Sequence, residues 1–166
     1  MCNMKYLTWS EEQEALAYIN QAAEIALQAT CQRAHCGCVI VENDEIIGTG
    51  FNSPPGEKEN QRRCGNDKNE YNKKVTDKTC CVHAEQRAIM NALIDAPDKI
   101  IGSRLYFVRI DENGKPIHAG KPYCTICSKM ALDAGIYEFI LRDEKWVCVY
   151  DTDEYNTLSF EYKEII

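Results

Sequence analysis

The chain has 166 residues, an apolar share of 45%, a net charge of −7 and ten cysteines. That length suits one domain, expected to span residues 1–166, and the acidic balance argues against a general nucleic-acid binder, which would carry a basic face. No stretch approaches the ~20 apolar residues of a membrane span, and Met1–Tyr6 sets no apolar run behind a basic end, so neither membrane insertion nor a secretory signal peptide is expected.

Cysteines without an export signal favour a reducing, cytoplasmic compartment, where they read better as metal ligands or core residues than as disulfides. Ser10-Glu11-Glu12-Gln13 predicts a capping box, followed by a packing helix to about Ala29 with Leu16, Ile19, Ala22, Ala23 and Ala26 on its apolar face. Cys38–Val41 and Glu45–Asn52 predict a hairpin about Asn43-Asp44. From Ser53 to Thr79 the chain is polar and charged, and a structureless loop of that length is unusual inside a domain. Cys64 within it and Cys80-Cys81 at its end offer a staple.

Residues 84–93 predict an apolar-periodic helix, and Ser103–Ile110 a strand. Asp111–Lys115 predicts a hairpin turn centred on Asn113-Gly114, with 115–118 returning along the strand. A helix from Cys124 to about Ala134 stops at Gly135, and strands follow at Tyr137–Leu141 and Trp146–Tyr150. The acidic, aromatic tail 151–166 yields no placement. Strands alternating with helices imply an α/β fold, three layers with a mixed central sheet of about five strands between helices.

Two helix starts carry the chemistry. Cys80-Cys81-Val82-His83-Ala84-Glu85 puts His83 and Glu85 at the first turn of one helix, where free N–H groups and the positive end of the dipole face outward. Cys124-Thr125-Ile126-Cys127 puts two thiols three residues apart at the start of another, so both point the same way. A positive helix end lowers a thiol pKa and favours the thiolate that metals bind. One imidazole and two thiolates make three zinc ligands and leave a fourth position for water; alternatively Cys80 or Cys81 joins them in a closed, structural four-ligand site, with Glu85 an ordinary first-turn acid.

The pairing of H-x-E with a later C-x-x-C is the signature of zinc deaminases. At these residues the chain resembles the cytidine and deoxycytidylate deaminase superfamily, most closely its deoxycytidylate branch, from about Cys31 to about Leu141. The resemblance implies the cytidine deaminase-like fold, a catalytic Zn²⁺ on His83, Cys124 and Cys127, and Glu85 as proton shuttle for hydrolytic deamination, dCMP to dUMP and ammonia ahead of cytidine or guanine. A tRNA or DNA base and a zinc-stabilised binding module without activity are the remaining alternatives. Gly50-Phe51-Asn52-Ser53-Pro54-Pro55-Gly56 and Thr30-Cys31-Gln32-Arg33 resemble segments of the deoxycytidylate branch. They imply Asn52 and the Ala84 backbone as substrate contacts. Arg33, Lys58, Arg62 and Arg63 are candidates for a 5′-phosphate. Asn52 is equally a turn residue ahead of prolines.

Some relatives hold a second, structural zinc. The corresponding positions are Cys31, Cys64 and Cys81, with Cys80 or Cys36 as a fourth; free or core thiols are the alternative reading. Cys2, Cys38 and Cys148 read as packing residues. The family also implies a homo-oligomer and a small nucleotide or nucleoside as partner. Two departures stand out: Tyr123 lies between Pro122 and Cys124, where the family places proline directly before cysteine, and a hairpin at 109–120 is inserted where a short loop is usual and is expected to reshape one pocket wall.

Overall fold

The computed structural model describes residues 4–163. Cys2 and the last three residues of the tail lie outside them. Helix α1 (Trp9–Ala26) follows the short strand β1 (Lys5–Tyr6), and the hairpin β2 (His35–Glu42) and β3 (Glu45–Phe51) comes next. After the long loop come α2 (Ala84–Asp95), β4 (Arg104–Ile110), β5 (Pro116–Ile117), α3 (Thr125–Asp133), β6 (Glu138–Arg142), β7 (Val147–Asp151) and α4 (Thr152–Phe160). No described helix is long and apolar enough to cross a membrane.

The sheet has seven strands in the order β1-β7-β6-β4-β2-β3, with β5 paired to β4. The five expected strands are present, and β1 and β5 add two residues each at the margins. All pairings are antiparallel except β4 with β6, so the sheet is mixed. The β2–β3 turn is two residues, Asn43 and Asp44, both at positive φ. That geometry matches the right-handed twist of the strands, and Asn and Asp tolerate it.

Each strand of the centre buries both faces, which accounts for its unbroken apolar run. Val39, Val41, Tyr106 and Val108 meet Ile19, Ala22 and Ala26 of α1 on one side. Cys38, Ile40, Leu105 and Phe139 meet Ala84, Ala88 and Ala92 of α2 on the other, where α3 and α4 also pack. The three layers expected from the sequence are thus α1, the sheet, and α2–α4. Cys38 and Cys148 are core thiols, as read.

Two local expectations are corrected. The helix cap is Thr8 with Glu11, two residues ahead of Ser10 and Gln13: the Glu11 carboxylate accepts from the Thr8 N–H at 3.0 Å and from its hydroxyl at 2.7 Å. A carboxylate makes stronger, charge-assisted bonds than the Gln13 amide offers. The helix ends at Ala26 rather than Ala29, its last turn tightening into i→i+3 bonds from Gln28 and Ala29. The 53–79 stretch is not structureless but carries single 3₁₀ turns at Pro55–Glu57, Glu59–Gln61 and Lys68–Glu70.

The seat of α2 is set by Gly50. A Cβ there would lie 2.1 Å from the Ala84 carbonyl oxygen and 2.5 Å from the Ala88 nitrogen. Only a bare backbone lets the first turn of α2, which carries Glu85, approach β3 so closely. Gly50→Ala is expected to destabilise the fold by about 1–3 kcal/mol or more, read as a fall in melting temperature of roughly 2–4 °C per kcal/mol.

Candidate metal centre and active site

His83 is the N-cap of α2 and is held there by the Gln86 side chain, whose Oε1 accepts from the His83 N–H at 3.0 Å. Cys124 is the N-cap of α3, and Cys127 lies one turn further in, fully buried. The two helix starts meet beside the entry to β2, the exit of β3 and Phe107 of β4. His83 Nδ1 lies 3.2 Å from Cys124 Sγ and 3.2 Å from Cys127 Sγ. A tetrahedral zinc with Zn–N near 2.0 Å and Zn–S near 2.3 Å separates such atoms by about 3.5 Å, so the donor set and its spacing fit that ion. The thiol of Cys124 is drawn down, first by the hydrogen bond from Cys127 and then by His83, while the same hydrogen bond and burial push Cys127 up. Cys124 is therefore a ready thiolate.

Cys80 and Cys81 do not close this set. Among the described residues two separate groups could hold a metal, His83 with Cys124 and Cys127, and Cys31 with Cys64 and Cys81. Cys80 packs beside the second without being one of its three members: its sulfur is 3.4 Å from Cys64 and 3.8 Å from Cys81, and Cys64 is 3.7 Å from Cys81. Four sulfurs at the corners of a tetrahedral zinc site stand about 3.8 Å apart. Cys36, the other candidate for that corner, is not packed in this sulfur cluster, although it lines the same cavity as its members.

Beside the first set opens a cavity of about 210 Å³. Glu85 lines it and is only 5% exposed. Burial, reinforced by the Cys124 charge, pushes its carboxyl up to about 7. Phe107 and Tyr123 supply aromatic walls. Tyr123 is half exposed, and its ring meets Tyr162 of the tail at 5.7 Å. The inserted residue thus contributes to the cavity, whereas no residue of the 109–120 hairpin lines it, contrary to expectation. That hairpin is tied away along β4, where β5 pairs with Arg109 and Ile110.

The predicted substrate contacts have mixed positions. Asn52 and Ala84 both line the cavity. The Asn52 amide also locks the entry to β2, accepting from Cys36 N–H at 2.9 Å and donating to the Ala34 carbonyl at 2.9 Å. Arg33 lines the cavity while donating to the carbonyls of Cys64 and Asn66. Lys58, Arg62 and Arg63 do not line it; Arg62 instead clamps Glu59 and the Thr30 carbonyl, fastening the loop.

Four contributors escaped the sequence reading. Lys68 and Thr79 reach the cavity from the long loop, and Phe107 from β4. Arg87 on α2 donates to the Phe51 carbonyl and the Ser53 hydroxyl, each at 2.7 Å, with its guanidinium 5.0 Å above the Phe51 ring. It fixes the exit of β3 and with it Asn52. Its place one turn after His83 is the single local signal that could have found it; Lys68 and Thr79 depend on how the loop folds back.

Comparison with known proteins agrees with this geometry. The family model of the cytidine and deoxycytidylate deaminase zinc-binding region matches residues 12–142. A deoxycytidylate deaminase of Schizosaccharomyces pombe is 26% identical over 127 residues, 74% of this chain and 35% of that protein. The human deoxycytidylate deaminase is 26% identical over 155 residues, 90% of this chain and 71% of that one. The chain therefore spans about a third of the length of the Schizosaccharomyces pombe relative. Among solved structures, the apo dCMP deaminase of cyanophage S-TIM5 superposes with a TM-score of 0.58 at 22% identity, over 89% of this chain and 92% of that one. The same phage enzyme in complex with dCMP and dUMP gives 0.56 at 23% identity, over 84% and 85%. A cytidine deaminase from Burkholderia pseudomallei gives 0.52 at 18% identity, over 90% and 96%, so the fold is shared across these proteins.

Proposed function

The chain belongs to the cytidine and deoxycytidylate deaminase zinc-binding family, and from that premise we propose that it is a zinc-dependent hydrolase that converts a cytosine nucleotide, dCMP foremost, to the uracil nucleotide and ammonia. One observation carries the proposal: a buried carboxyl, Glu85, shares a cavity with His83 and Cys124, two of the three residues whose imidazole and thiols are spaced for a metal, the third being Cys127.

His83, Cys124 and Cys127 would hold the zinc, which supplies a Lewis acid and a water of lowered pKa. Glu85 takes the proton of the attacking water and delivers protons to the ring nitrogen and to the departing amine. One carboxyl can serve all three transfers because they occur within a few ångströms of one another. A carboxyl raised toward neutrality by burial both accepts and returns a proton readily at pH 7. Asn52 keeps one amide N–H and one oxygen lone pair beyond its two structural bonds, which suits contact with the base or sugar. The Ala84 backbone borders the same space.

The 5′-phosphate is assigned to Arg33 and Lys68, the two cationic residues lining the cavity. Lys68→Ala is expected to raise KM for dCMP about tenfold or more, the worth of a charge-assisted hydrogen bond, and to leave deoxycytidine unaffected. Steady-state kinetics on the two substrates checks it. A second, structural zinc is assigned to Cys31, Cys64 and Cys81, whose sulfurs lie within 4.8 Å of one another, with Cys80, beside Cys64 and Cys81, as the fourth ligand.

The test is ammonia release from dCMP, dCTP, cytidine, guanine and a tRNA by the purified zinc-loaded protein. Highest kcat/KM on dCMP is the expected result. A preference for guanine or tRNA reassigns the substrate, and no release from any of them overturns the enzymatic reading.

A further inference from the structure

Thr79 and Asp77 lie in the long loop just before the cysteine pair, outside both metal-capable sets. The Thr79 hydroxyl is 3.2 Å from His83 Nε2 and donates to Asp77 Oδ1 at 2.5 Å. The Thr79 N–H donates to the same Oδ1 at 2.9 Å, so the hydroxyl is fixed from its own backbone as well. His83 presents its other nitrogen, Nδ1, to the sulfurs of Cys124 and Cys127.

The proton inventory of this chain is closed. A neutral imidazole carries one N–H. With the Nδ1 lone pair given to a metal held between it and the thiols, that hydrogen sits on Nε2. A hydroxyl can accept it and still donate onward, and Asp77, being acceptor-only when ionised, takes that bond. With a metal on Nδ1, no other tautomer satisfies all three groups. A metal-binding histidine whose second nitrogen is anchored in this way has its ring orientation fixed and its ligand basicity raised.

We propose that Thr79 and Asp77 are positioning residues for the metal centre: Asp77 orients the Thr79 hydroxyl, and the hydroxyl holds the Nε2–H tautomer of His83 so that Nδ1 faces the metal. This rests on the zinc-site part of the function assigned above and not on any substrate. The relay also links the two sulfur-rich sets. Thr79 is bonded to Cys80, whose sulfur belongs to the second cluster, so fixing Cys80 and Cys81 places the Thr79 hydroxyl beside His83. The competing view is that Thr79 and Asp77 form a turn that merely shapes the loop.

Zinc affinity separates the two. Thr79→Val keeps the shape and removes the hydroxyl. It is expected to weaken zinc at the His83 set by about 10–100-fold in competition with a chelator, the range for lost outer contacts of ligating histidines. Thr79→Ser restores binding, and Asp77→Ala weakens it in the same direction as Thr79→Val. Cobalt substitution assigns the loss, because a nitrogen-containing set and an all-sulfur set give different absorption bands. Unchanged sulfur-only bands certify that the loop is folded. Wild-type affinity in Thr79→Val overturns the relay, as does a Ser variant as weak as the Val variant. If wild-type protein deaminates none of the substrates yet the Val and Ser variants separate as described, the catalytic assignment falls and the relay stands. If the His83 set takes no metal in wild-type protein, both fall.

Discussion

Glu85→Gln is expected to retain the zinc content of the wild-type protein and to lose ammonia release by at least the ~10²–10⁴-fold that a positioned general acid–base contributes. The substitution is isosteric, and Glu85 is not one of the three atoms grouped for a metal. It therefore changes proton capacity alone. At 5% exposure, water cannot readily replace the lost carboxyl from the surface. The cavity itself should persist, since its walls come from other elements: Phe107 from β4, Tyr123 ahead of α3, Asn52 after β3. Binding of dCMP is thus expected to survive while kcat collapses, a pattern distinct from that of a ligand mutant such as Cys127→Ser, in which zinc is lost too. Metal analysis beside single-turnover kinetics tells these apart. Full activity in Glu85→Gln would remove the proton shuttle from the mechanism. Loss of zinc in that variant would make the carboxyl a ligand or a fold-holding group instead.

What the sequence disclosed follows a physical division. His83, Glu85, Cys124 and Cys127 were legible because helix geometry alone fixes their relations within each pair; the fold had only to bring two helix starts together. The hairpin at Asn43-Asp44 was legible because two residues at positive φ need such side chains. Lys68 and Thr79 were not, because their place in the cavity depends on a loop folded by contacts distant in sequence, such as Arg33 to Cys64 and Arg62 to Thr30. Helix α4 hid for a different reason. Its residues, TDEYNTLSF, include Thr, Asn and Ser, weak helix formers. It is held instead by packing, with Tyr155 stacked on Phe139 at 4.0 Å between centroids and meeting Tyr150 edge-on at 5.8 Å. Its N-cap, Asp151 accepting from the Asp153 N–H, was a local sign of where it begins. β1 and β5 are too short to have a period at all.

Cys64→Ser is expected to lower zinc from two to one per chain and to release the loop between Pro54 and Thr79. The reason lies in what else could order that segment. Fixing each residue costs about 1–2 kcal/mol of backbone entropy, and between Pro55 and Thr79 only Cys64 is buried. Its one ion pair among the described residues joins the covered Arg62 to Glu59, which is largely in solvent, and pairs open to water contribute about 0–1 kcal/mol. Apolar burial and surface charge therefore do not offset the ordering. A structural zinc does, at about 10–16 kcal/mol of apparent binding free energy in small zinc-dependent folds. The four sulfurs tie Cys31 ahead of β2, Cys64 in mid-loop and Cys80-Cys81 ahead of α2, so one ion would pin the loop at its middle and at its C-terminal end. Limited trypsin digestion reads the outcome directly: Lys68, Lys73, Lys74 and Lys78 should resist cleavage in the wild-type protein and be cut in Cys64→Ser. The same variant should bind zinc more weakly at the His83 set, because Thr79 is then no longer fixed beside Nε2. One zinc per wild-type chain, with Cys64 freely alkylated and the loop still resistant to trypsin, would show that the thiols pack without a metal.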